Sequence, residues 1–198
     1  MFSFSTLNIT TDRQFEEYIR TYLFLNVTSI MIQEVMQYYP ANISQGSPID
    51  TSTLNALTPQ FKRIAALQGD VNFQAPRRFF LQNRSGKQAL WTYVSKRLKT
   101  GPLPRCCKLI HDLVRQHTPR IPICLQFHGS DISNVYGGQD MASYLVRFFS
   151  NLDPNGGTDL YWPQYTTVEP DMLEFLGGSI PHWPTEDTYR ADAMAYPF

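Results

Sequence analysis

One histidine stands where a general base could work. In Phe127-His128-Gly129-Ser130-Asp131-Ile132 the imidazole follows the short apolar run Ile123 to Phe127 and precedes a glycine turn. Loops at strand ends are where α/β enzymes carry the side chains that move protons. On spacing alone a structural histidine is the commoner outcome. No nucleophile accompanies it, since the chain has no G-x-S-x-G elbow, no S-x-x-K and no G-x-x-x-x-G-K phosphate loop. A second cluster, Cys106, Cys107, His111, His117 and Cys124, invites a zinc reading. Zinc modules pair ligands two to four residues apart, twice over. Adjacent cysteines and a loose His-x5-His do not, so an irregular loop with free thiols is the preferred reading and no metal or other cofactor is expected. A third set of residues points to modification. Asn8, Asn26, Asn42 and Asn83 each open an N-x-S/T sequon, the acceptor of N-linked glycans in secreted chains.

The elements that must position these residues are mostly helical. Thr11-Asp-Arg-Gln14 fits a capping box, and Phe15, Tyr18, Ile19, Tyr22 and Leu23 follow on one face. A second helix is expected from Thr28 or Ser29 to Tyr39, with the stripe Ile32, Val35, Met36, Tyr39 and a stop at Pro40. Residues 40 to 57 read as a loop. Thr58-Pro59 predicts the start of a third helix with Phe61, Ile64, Ala65 and Leu67 inward and a stop at Gly69. Asp70 then caps a fourth, to about Gln82, with Pro76 predicting a kink or a late start. Ala89 to Lys96 is the best strand, and Ile123 to Phe127 a second. Asp140 caps a helix carrying Tyr144, Leu145, Phe148 and Leu152, and Asp153-Pro-Asn-Gly-Gly157 is a turn. The rest of the chain reads as loop-like, with a weak helical patch. Two short strands do not make a stable sheet, so these helices imply an α/β protein with most of its sheet elsewhere.

Composition narrows the class. Of 198 residues, 17 are Lys or Arg and 17 Asp or Glu, a balance without the electrostatic footprint of a nucleic-acid or anionic-membrane binder. Thirteen Phe, eleven Tyr and three Trp in a chain 42% hydrophobic exclude disorder. No stretch approaches the ~20 apolar residues of a membrane span, and Met1 opens no signal peptide. Sequons without a leader lead to the expectation that an N-terminal part of the working protein is missing.

Several stretches in order carry a resemblance. Asn55 to Asp70, Phe73 to Leu81, His128-Gly-Ser-Asp-Ile132, Asp153-Pro-Asn155 and Trp162-Pro-Gln-Tyr165, with Gly46-Ser-Pro48 and Asp187-Thr-Tyr-Arg190, resemble the C-terminal part of type-B carboxylesterases, the secreted fungal lipases in particular. The likeness covers nearly the whole chain except residues 101 to 126. It implies an α/β-hydrolase fold and carboxylic ester hydrolysis by a Ser-His-Glu triad, with an ester or lipid substrate and an extracellular location. His128 matches the catalytic histidine, which takes the proton of the Ser hydroxyl and gives it to the leaving alcohol. Gly129 and Asp131 match the turn that supports it. Asp70 and Arg77-Arg78 match a core helix, where structural ion pairs are the expected role.

The departures are equally specific. The family's Glu-Gly-Thr falls just before the stretch that Met1-Phe2-Ser3 resembles, and its Ser elbow and oxyanion-hole glycines further upstream. The expectation is therefore a single partial domain over 1–198, a C-terminal fragment of an α/β-hydrolase, mostly helices with two or three strands, holding one triad member of three and inactive alone. No other glutamate has motif support as a replacement. Residues 101 to 126 read as an insert of foreign composition, consistent with translated intron sequence. Two readings compete: a non-catalytic esterase-like interaction module, and a small metal-binding protein through residues 106 to 124.

Overall fold

A computed structural model describes residues 8–47, 49–54, 56–97, 131–137, 140–177 and 181–195. They fall into two units, one of residues up to 78 with those from 190, the other of residues 79–97 and 131–189. The strand expected at Ile123 to Phe127 and the insert at 101–126 lie outside the described residues.

The first unit is helical. Helix α1, Asp12–Tyr18, opens with the expected capping box: Thr11 accepts from the Gln14 N–H, and the Gln14 side chain accepts from the Thr11 N–H at 3.1 Å. It runs on as a π turn, Ile19–Leu23. Thr28 caps α2, Ser29–Tyr38, by accepting from the Met31 N–H. Phe15, Ile19, Ile32 and Val35 are buried with Ile64 and Leu67 in one core, whereas Tyr22 is 74% exposed.

Helix α3 spans Phe61–Gly69 and α4 Ala75–Arg84, joined by a π turn over Asp70–Gln74. Three expectations are corrected here. Thr58 does not cap α3; its carbonyl accepts the Phe61 N–H and its hydroxyl bonds the Ile9 carbonyl. Gly69 does not stop the helix, because its φ is −63°, and glycine permits a left-handed turn without requiring one. Asp70 does not cap the start of the next helix either, having helical φ and ψ. Pro76 accounts for the late start of α4: within the first turn its missing N–H costs nothing, and the π turn absorbs the change of register. The freed Asp70 carboxylate, 1% exposed, pairs with Arg190 at 2.6 Å and accepts from the Tyr39 hydroxyl at 3.0 Å. That pair draws in Arg190 and the short helix α7, Ala191–Ala195, whose Ala193 joins the core. Structural pairing is thus the observed role of Asp70.

Within the second unit, the strand expected at Ala89 to Lys96 shortens to β1, Tyr93–Ser95. The stretch read as loop supplies β2, Asp171–Phe175, and β3, His182–Glu186. The sheet order is β1-β2-β3, with Tyr93 opposite Leu173 in parallel and Leu173 opposite Pro184 in antiparallel. Pro184 is tolerated because β3 lies at the edge of this three-stranded sheet. Helices α5, Ile132–Tyr136, and α6, Asp140–Asn151, fall between β1 and β2 in sequence. Tyr144 of α6 is buried as expected, but Leu152 is beyond the helix, at φ 59° and 75% exposed.

The core here is aromatic. Tyr144 and Trp162 meet edge to face, centroids 5.3 Å apart, beside Leu173 and Phe175. Asn155 binds Trp162 twice, accepting from its N–H at 2.7 Å and donating to its carbonyl at 3.0 Å, while the indole N–H bonds the Thr92 carbonyl at 3.0 Å. Asp153 fixes Asn155 in turn, accepting its N–H at 2.8 Å. The Asp153-Pro-Asn155 and Trp162-Pro-Gln-Tyr165 stretches therefore form one packing unit.

Candidate functional site

His128 lies outside the described residues, as does Gly129. The chain on either side is described, and it converges on the C-terminal end of β1. Upstream, the Lys96 N–H bonds the Phe175 carbonyl at 2.8 Å and continues the ladder one residue beyond the strand. Downstream, Asp131 accepts from the Tyr93 hydroxyl at 2.6 Å. Arg97 closes the same gap by donating to Asn134 Oδ1 at 2.8 Å. Arg97 and Asp131 thus both lie at one strand end, the kind of place where α/β proteins carry functional loops. Burial and then the neighbouring Asp131 carboxylate hold the Tyr93 phenol far above its ordinary value, so it stays a hydrogen-bond donor. Asp131 is thereby tied to β1 within the second unit.

Arg97 does more than bridge. Its Nε donates to the Leu176 carbonyl at 3.0 Å and one Nη2 hydrogen to the Pro181 carbonyl at 3.1 Å. The same Nη2 pairs with Asp140, and the guanidinium carbon stands 5.5 Å from the Phe175 ring centroid. A planar fork of five N–H donors is suited to such divergent acceptors, as an ammonium is not. Burial pushes the Asp140 carboxyl up, but Arg97, with smaller help from His182 and the Met141 N–H, outweighs it and holds the group below its ordinary value.

His182 completes the cluster. Its Nδ1 is 3.4 Å from Asp140 Oδ2 and its Nε2 3.3 Å from the Tyr144 hydroxyl. A carboxylate-imidazole-hydroxyl chain is an arrangement that can activate a hydroxyl nucleophile. This one does not. Burial first, then the Asp159 charge, push the Tyr144 phenol up to about 12, and its hydrogen goes to the Leu160 carbonyl at 2.7 Å. The cluster fastens β3 to α6. Nothing in the sequence singled out His182 or Arg97, because their partners are spread from residue 134 to residue 181.

The four sequon asparagines, Asn8, Asn26, Asn42 and Asn83, are all exposed. Asn42 accepts from the Ser44 N–H at 3.1 Å, and Asn83 in α4 donates to the Phe79 carbonyl at 2.8 Å. Cys106, Cys107, His111, His117 and Cys124, the residues of the metal reading, lie outside the described residues. Among the described residues no three His, Cys, Asp or Glu side chains gather as a metal site. No helix among them is long and apolar enough to cross a membrane.

No family model matches the chain. Curated proteins do. Lipase 4 of Diutina rugosa is 37% identical over 168 residues, 84% of this chain and 28% of that protein. The chain is a homologue of the fungal lipases. Lipase 2 of Geotrichum candidum is 36% identical over 174 residues, 85% of this chain and 27% of that lipase. The secreted triacylglycerol lipase of Gibberella zeae is 30% identical over 208 residues, 99% of this chain and 32% of its own length. This lipase homologue thus spans about a third or less of the relatives it matches.

Proposed function

We propose that this chain is the histidine-bearing part of a secreted carboxylic ester hydrolase of the lipase type, built on an α/β-hydrolase fold. The observation that carries the reading is identity of 30 to 37% to fungal lipases over most of the chain. His128 is the general base in this reading: its imidazole takes the hydroxyl proton as serine attacks the ester carbonyl, then returns it to the leaving alcohol. The serine, the glutamate that orients the imidazole and the oxyanion donors come from polypeptide outside these 198 residues. Esters or lipids are the substrate class, and the chain by itself does not turn over. The geometry at the end of β1 supports this assignment, because Tyr93-Asp131 and Arg97-Asn134 fix both flanks of the segment that holds His128. Imidazole catalysis tolerates little displacement, so an anchored base of the loop is what the chemistry requires.

The test is hydrolysis of a p-nitrophenyl ester. The purified chain is expected to be inactive, and a chimera carrying the upstream two-thirds of a related lipase is expected to hydrolyse the ester in a His128-dependent manner. Turnover by the chain alone that is lost in His128→Ala refutes the need for partners. A chimera as active with His128→Ala as without it refutes the role of the histidine.

A further inference from the structure

The sequon at Asn26 sits on a feature that the ester chemistry does not use. Phe24 to Val27 form a β-turn, closed by the Val27 N–H on the Phe24 carbonyl at 3.2 Å. Asn26 occupies its third position, and its side chain is exposed. Beside it is a hollow of about 220 Å³ lined by Phe24, Asn26, Val27 and Met31. Three of those four residues are apolar. Around the turn stand Tyr22, Leu25 and Ile30, exposed at 74, 79 and 70%. A strip of this kind on a folded surface marks something that covers it.

We propose that Asn26 carries an N-linked glycan and that its first N-acetylglucosamine seats in this hollow, covering the apolar turn between α1 and α2. A pyranose presents hydroxyls at its rim and a face of C–H groups. That face suits a wall of Phe, Val and Met, where it buries apolar area and meets the electron-rich ring face. The tether makes contact nearly free of association cost, because the sugar is bonded to the rim of its own site. The transfer is ordinary: Asn26 Nδ2 bonds the anomeric carbon of a polyprenyl-pyrophosphate oligosaccharide, the C1–O bond breaks, the amide gives up one proton, and the lipid pyrophosphate leaves. Thr28 is exposed, while its hydroxyl oxygen caps α2 at 3.2 Å from the Met31 nitrogen. Asn42 and Asn83 differ, since their side-chain amides are already bonded to their own backbone surroundings.

The full chain, sent into the secretory pathway of a glycosylating yeast by a host leader, provides the test independently of the catalytic reading. Glycopeptide mass spectrometry is expected to find Asn26 occupied; an unmodified Asn26 overturns the proposal. Trimming with an endoglycosidase leaves one N-acetylglucosamine, and Asn26→Gln leaves none. Amides of residues 24 to 31 are expected to exchange hydrogen several-fold more slowly with the sugar than without it. Met31→Ser keeps the glycan but removes part of the wall, and is expected to reduce that protection. Equal exchange with and without the sugar refutes the seating. Should Asn26→Gln fail to fold, amidase removal of the sugar from the wild-type chain makes the same comparison.

Discussion

Replacing Arg97 by methionine should loosen the second unit at the end of β1. The guanidinium holds Asp140, Asn134 Oδ1 and the carbonyls of Leu176 and Pro181. Arg97 and Asp140 are 18 and 20% exposed, so the pair is mostly but not wholly desolvated. Removing one member of a buried pair costs about 3–5 kcal/mol, and the residual exposure favours the lower figure, about 3 kcal/mol. Arg97→Lys keeps a charge opposite Asp140 but reaches no more than one of the three neutral acceptors; two lost bonds at ~1 kcal/mol each give about 2 kcal/mol. Urea unfolding read by tryptophan fluorescence reports on the right unit, because Trp91, Trp162 and Trp183 all belong to it. At slopes of roughly 1–3 kcal/mol per molar, the methionine variant's midpoint should fall by about 1–3 M. The cost should also depend on pH. Asp140 is depressed in the folded chain, so its contribution is present above the unfolded carboxyl value of ~3.9 and lost as pH falls through the lower folded value. Without Arg97, burial dominates and Asp140 rises. The deficit of Arg97→Met should therefore shrink between pH 7 and pH 4, where a protonated Asp140 needs no cation. Unchanged midpoints, or a deficit equal at both pH values, would show that Arg97 does not hold Asp140.

Two further substitutions test the first unit. Asp70→Ala leaves the Arg190 guanidinium, 15% exposed, without the carboxylate that anchors it, and about 3 kcal/mol should be lost. A double-mutant cycle with Arg190→Met in a urea titration followed by circular dichroism should return a coupling above about 1 kcal/mol; a coupling near zero sinks the pairing. Gly46→Ala should cost about 1–3 kcal/mol by overpacking, because an added Cβ would stand 2.5 Å from Lys62 Cβ and 2.6 Å from its carbonyl carbon. A midpoint within error of wild type would mean that the loop moves away freely.

Much of the helical unit could be read from single residues, because its signals are local. Thr11 with Gln14, and Thr28 ahead of the Ile32 and Val35 stripe, state the starts of α1 and α2 within four residues each. Asp153 to Gly157 declares its turn in the same way. The strands were harder. Asp171–Phe175 is five residues long and carries Glu174, whose charge is answered by Lys96, a partner far away in sequence. Pro184 argues against a strand unless it is known that β3 lies at an edge of the sheet. Gly69 misled because glycine is compatible with both a stop and a continuation. The strand leading to the His128 segment was visible in the β-branched and aromatic run around Tyr93. The Arg97 cluster was not, because it joins side chains that only the fold brings together.

The anchored flanks at the end of β1 also bear on how the chain tolerates changes of length. Closing a flexible segment costs an entropy that grows with the logarithm of its length, about 0.6 kcal/mol for each doubling. Tyr93-Asp131 and Arg97-Asn134 set the closure point by side-chain bonds. A doubling of the length between them would therefore load the sheet by less than one charge-assisted hydrogen bond contributes. The strand end acts as a socket into which segments of very different length can be spliced, while the register of β1 on β2 stays as it is.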